Sequence, residues 1–156
     1  MEETCECCGA AVQGGVEGCF TVFTEMLALE YSDPAYGAVH LLSVDAHALQ
    51  HPEKHGYKNN AFHLIRLCWL LEYGGDARIG KGPRWMAASF DGRPDAPILE
   101  PPADRGPVTV LDVVGAATPE EHAIRVRRWA RAVWEAWRDH HDWARQSIQD
   151  MMGSRC

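Results

Sequence analysis

The chain has 156 residues, of which 46% are hydrophobic and 24% charged, and its formal net charge is -7. That length fits a single domain over residues 1–156 with a real core. The acidic balance argues against a nucleic-acid partner, and no apolar run reaches the roughly 20 residues of a membrane span. The first ten residues, MEETCECCGA, lack the basic and apolar regions of a secretory leader. A cytoplasmic location is therefore expected, where thiols stay reduced and clustered cysteines bind metal or do redox work.

Residues 1–18 form a Cys/Gly-rich lead-in carrying Cys5, Cys7, Cys8 and Gly9. A first helix is expected from Cys19 to Tyr31, with Phe20, Phe23 and Leu27 at helical spacing. Asp33-Pro34 then reads as a helix start and Pro52 as its stop. In that helix His40, His47 and His51 fall within roughly 40° of one another at 3.6 residues per turn. A third helix is expected over about 59–73, ended by Gly74-Gly75.

The segment 74–107 holds six Gly and six Pro, which breaks the periodicity, and offers one short helix near Pro83 to Ser89. Thr109 and Asp112 read as a capping box, and Thr118-Pro119-Glu120-Glu121 as a stronger one. The latter is expected to launch a single long helix over 119–150. Its inward stripe runs Val126, Trp129, Ala130, Val133, Trp137, His140, His141, Ala144 and Ile148. The expected fold is mainly α. It is a four-helix-type bundle with a long irregular segment between the third and fourth helices and an N-terminal cysteine knuckle.

Cys5-x-x-Cys8-Gly9 has the spacing that lets two thiolates grip one tetrahedral ion from a tight turn. Two more ligands are then needed, and Cys19 and a histidine are the available donors. The inward histidines His40, His51, His63 and His140 or His141 offer neutral imidazoles, with Asp45 or Glu25 placed to orient a ring. Cys68 lies on an apolar helix face and reads as core filler, and Cys156 as a free terminal thiol. No phosphate loop, nucleophile elbow, H-E-x-x-H or dinucleotide fingerprint occurs.

Several stretches together resemble one family: C-x-x-C-G, EYSDPAYGAVH running into VDAHALQHP, FHLIRLC, EPPADRG-x-x-TV-x-DV, and W-x-x-x-VW-x-AW-x-x-HH. The chain resembles the bacterial domain-of-unknown-function family 5946 over nearly its whole length. The resemblance implies a small soluble bacterial protein and names no reaction. Its pattern is matched at Cys5, Cys8, Cys19, Glu25, His40, Asp45, Gln50, His51, His63 and His140 or His141, and departs at His47, where the family has Tyr.

The leading expectation is a metal-binding protein, with zinc held by Cys5, Cys8, Cys19 and a histidine. The first alternative is a metal-dependent hydrolase or group transferase acting on a small-molecule substrate at a His-lined bundle site, with 74–107 as a lid. The second is a thiol-based metal-handling or regulatory protein using Cys5, Cys7 and Cys8. The oligomeric state is not set by the sequence.

Overall fold

The computed structural model describes residues 3–91 and 96–153, so Cys156 lies outside the described residues. Six α-helices are present among them: α1 Gly15–Ser32, α2 His40–Gln50, α3 Tyr57–Glu72, α4 Arg84–Asp91, α5 Pro119–Ala136 and α6 His141–Gly153. The described residues hold no strand, apart from an isolated antiparallel bridge between Thr4 and Ala11. No helix among the described residues is long and apolar enough to cross a membrane.

Helix α2 is the centre of the arrangement. It packs against α1, α3 and α5, and ten of its eleven residues are buried, Val44 being half-buried. A helix buried all round has no solvent side on which to put polar residues, so each needs an internal partner. Ser43, Asp45 and Gln50 all have one. One continuous apolar core surrounds α2, from Cys5 and Phe23 through Leu64 and Ile65 to Trp129, Trp137 and Ile148.

Helix α1 starts at Gly15, ahead of the expected Cys19, and two further boundaries differ from the sequence expectation. The segment opened by Asp33-Pro34 begins as a 3-10 helix, Tyr36–Val39, and becomes α-helical only at His40. The Leu41 amide donates to the Ala77 carbonyl at 2.9 Å instead of continuing the helical ladder. Asp33 caps this turn through Oδ1, which accepts from the Ala35 amide. The long helix expected over 119–150 is broken at Trp137 into α5 and α6. There the indole Nε1 donates to the Leu49 carbonyl of α2, and the chain tightens into the 3-10 turn Arg138–His140. His141 donates from Nε2 to the Trp134 carbonyl, which also accepts from the Trp137 amide, and stacks on the Trp134 ring, a side-chain cap on the end of α5.

The capping box of Thr109 with Asp112 forms as expected, while at Thr118 the hydroxyl accepts from the Glu121 amide and the Glu121 carboxylate reaches one residue further back, to the Ala117 amide. The segment expected to be irregular carries α4 and then an extended stretch ending in Arg105. That arginine donates to the carbonyls of Pro102, Gln50 and Cys7 and pairs with Glu53. Far from being loose, this end of the segment clamps the N-terminal knuckle to the end of α2.

Candidate metal centre

The N-terminal chain folds back on itself because Cys5 donates its amide to the Ala10 carbonyl and Gly9 donates to the Cys5 carbonyl. Gly9 sits at φ 81°, the left-handed region that glycine enters without penalty, and this reverses the chain directly after Cys8. The knuckle then rests on the start of α1. A Cβ at Gly18 would lie 1.9 Å from the Gln13 carbonyl oxygen, so only glycine permits this approach one residue before Cys19. Cys19 is thereby held against the knuckle, in the first turns of α1.

His51 comes from the other side. It lies just past the last residue of α2 at φ -127°, ψ 48°, and its Nδ1 approaches the His47 carbonyl at 2.6 Å. A carbonyl only accepts, so Nδ1 carries the proton. In the neutral ring Nε2 then carries the lone pair, which faces the sulfurs. Fixing the tautomer from behind in this way is how proteins orient a ligating histidine. His51 Nε2 lies 3.4 Å from Cys5 Sγ and 3.4 Å from Cys19 Sγ, while Cys8 Sγ lies 3.8 Å from Cys19 Sγ. All four donor atoms fall within 4.8 Å of one another, a group that could hold a metal ion. Cys5, Cys19 and His51 are buried and Cys8 is half-buried.

The electrostatics of three crowded thiols reflect a shared proton inventory. Hydrogen bonding from Cys19, helped by His51 and the Ala10 amide against the cost of burial, pulls Cys8 down to about 4. The same bond with Cys8, reinforced by burial, pushes Cys19 far up. Burial pushes Cys5 up against the pull of the Cys8 and Cys7 amides. One sulfur therefore takes the negative charge and suppresses ionisation of its neighbours, the arrangement a divalent cation relieves by displacing protons.

The other residues singled out by the sequence lie elsewhere. His40 donates from Nδ1 to Glu30 at 3.0 Å, and His63 from Nδ1 to Asp45 at 2.8 Å. His140 donates to the Glu100 carbonyl and His141 to the Trp134 carbonyl. These four histidines are thus engaged with four different partners and do not join the cysteines. Asp45 does orient a ring, that of His63, and is also bound by Arg66 through three hydrogen bonds. Glu25 is exposed.

His47 adds its backbone carbonyl to the centre. Its ring stacks between Phe23 at 3.8 Å and His51 at 4.0 Å, and burial drives it down to about 2, so it is neutral. Cys7 faces Glu53 instead of the other sulfurs, and burial raises it to about 11. Cys68 is core, as expected, with burial raising it to about 12.

A second polar cluster escaped sequence reasoning altogether. Glu30 of α1, fully buried, accepts from His40 Nδ1 and Ser43 Oγ of α2 and from His122 Nε2 of α5, the last two at 2.6 and 2.8 Å. Burial alone would raise this carboxyl, but the donors His122, His40 and Ser43 outweigh it and hold it below 4.5. The available signal was spacing: Glu30 continues the buried row Cys19, Phe23 and Met26 along α1. A carboxylate on an inward stripe demands buried donors.

Neither a curated protein nor a solved structure matches the chain. A model described as a family of unknown function (DUF5946) matches residues 3–138, which include the knuckle, the whole Cys/His group and α1 to α5, and the chain belongs to that family.

Proposed function

We propose that the protein binds one zinc ion through Cys5, Cys8, Cys19 and His51, and that the ion is structural, riveting the N-terminal knuckle to α1 and the end of α2. The observation that carries this reading is the closure of four donors on one point. A tetrahedral zinc at its usual bond lengths has edges of about 3.8 Å between sulfurs and about 3.5 Å between sulfur and nitrogen. Here Cys8 and Cys19 stand 3.8 Å apart, His51 Nε2 stands 3.4 Å from both Cys5 and Cys19, and all four donors lie within 4.8 Å of one another. Three thiolates with one imidazole favour a borderline-soft ion over magnesium or calcium, which prefer oxygen. Four protein donors also leave no position for water, so the centre is built to hold structure and not to activate a nucleophile.

The test is elemental analysis of the chain purified without chelator, beside a Cys5→Ser/Cys8→Ser double variant. One zinc per chain in the wild type and none in the variant is the expected result. Full zinc retention in the variant would sink the assignment.

A further inference from the structure

Outside the Cys/His group, one buried nitrogen has no partner that its chemistry calls for. His55 Nε2 is sealed from solvent and makes no hydrogen bond, one of two such side-chain atoms among the described residues. Its ring lies 5.8 Å from the ring of His63, at 62°. His63 is not an idle neighbour. Its Nδ1 donates to Asp45 at 2.8 Å, which leaves Nε2 of the neutral ring as a lone pair. Asp45 itself is fully buried and charge-balanced by Arg66 at 2.6 Å. Its role toward His63 is to fix the tautomer. Carboxylate, histidine and open lone pair in sequence is the arrangement that precedes a metal ion in many centres.

We propose that His55 and His63 form a second, weaker site for a first-row divalent cation, bound by two imidazole nitrogens and completed by water. Two imidazoles sharing one ion at about 2.1 Å from each nitrogen stand about 5 Å apart between ring centres, close to the observed spacing. His55 follows the 3-10 turn Pro52–Lys54, and His63 sits in the second turn of α3, so the two rings come from separate, fixed elements. Both residues are half-buried although His55 Nε2 itself is sealed, so the site lies just beneath the surface and its ion would be exchangeable. The two-nitrogen set favours copper, nickel, cobalt or zinc over magnesium and calcium. It lies outside the four-donor group and does not depend on that group being filled.

Titration of the metal-free, reduced full-length chain with Co2+ separates the two sites by colour. Sulfur ligation gives an intense sulfur-to-cobalt charge-transfer band, whereas imidazole-and-water ligation gives only weak visible bands. The wild type is expected to take up a second equivalent with no growth of the charge-transfer band. His55→Gln and His63→Gln should each lose that second equivalent while keeping the first and its band, which also reports that the fold survives. Uptake by the wild type of a single equivalent that carries the charge-transfer band, or a second equivalent retained in both variants, overturns the proposal. If no charge-transfer band develops, yet one ion binds and His55→Gln abolishes it, the His pair stands and the cysteine reading fails.

Discussion

Helix α2 supplies a histidine to a buried cluster at each end, and the two clusters use the same side chain in opposite ways. At its start His40 turns an N–H toward Glu30, a hard anion that accepts from three donors and leaves nothing unmet. Just past its end His51 turns a lone pair toward three sulfurs, of which Cys8 takes the negative charge and the other two are held protonated beside it. The Glu30 cluster is complete with protons alone, whereas the cysteine cluster gathers four donors that could hold an ion. Hardness of the facing group, not the histidine itself, decides which role is taken.

If that contrast is right, the largest effect in the molecule comes from removing the ion. Binding free energies of structural zinc in small domains run to about 10–16 kcal/mol near neutral pH, so most of the order in the knuckle depends on it. Chelation, or Cys5→Ser/Cys8→Ser, should lower Tm more than any single substitution below. It should also expose the first 14 residues to proteolysis while the helical circular dichroism is largely retained. An unchanged Tm after chelation would erase the distinction between the clusters.

Glu30→Ala comes next. It leaves the N–H groups of His40 and His122 and the Ser43 hydroxyl buried without their acceptor, which by comparison with other broken buried networks costs about 3–5 kcal/mol. Denaturant unfolding measures this loss, and zinc content should stay at the wild-type value. Loss of metal in Glu30→Ala would mean that the two ends of α2 act as one unit.

The same carboxylate sets a pH signature. Its folded value lies below the 4.5 of the unfolded chain, so the ionised form is the one folding favours. Its contribution is therefore complete above about pH 5 and disappears as pH falls through the folded value. Subtracting the Glu30→Ala stability curve from that of the wild type should give a flat difference above pH 5 that declines on acidification. A difference independent of pH would show that folding leaves the Glu30 pKa unshifted, and one that grows on acidification would show that the native carboxyl is protonated.

These two clusters were unequally legible in the sequence. Cys5, Cys8 and Gly9 announce a knuckle because the whole device is local, set by spacing and one left-handed glycine. Cys19 was identifiable as the remaining donor, and His51 only as one of several imidazoles, since its selection depends on where α2 stops. Glu30 and His122 are 92 residues apart and belong to no motif, so only a carboxylate on an apolar stripe betrayed them. The break between α5 and α6 is likewise non-local, because it follows from the Trp137 indole reaching the Leu49 carbonyl. The helix pattern 119–150 carries no trace of that bond.

Arg105→Ala probes how far the cysteine cluster leans on its clamp. The guanidinium bridges the Cys7 and Gln50 carbonyls, and its pairing lowers Glu53, which is about half exposed. Solvent screening keeps the ion-pair share small, so the loss should be about 1 kcal/mol, from the carbonyl bonds. A faster release of zinc to a competing chelator is the sharper readout. An unchanged release rate would show that the sulfurs hold the knuckle without help.

His47→Phe should leave the metal untouched, and it tests the contrast most finely. His47 sits closer to the sulfurs than any histidine except His51, with Nε2 3.8 Å from Cys19 Sγ, yet it serves the centre through its carbonyl. An aromatic ring of similar size keeps that carbonyl and the stacking on Phe23, so stability should change by less than about 1.5 kcal/mol. Zinc stoichiometry should remain one per chain, where His51→Ala abolishes it. Should His47→Phe also strip the metal, proximity would outweigh tautomer, and the lone pair fixed on His51 Nε2 would no longer explain which ring the ion selects.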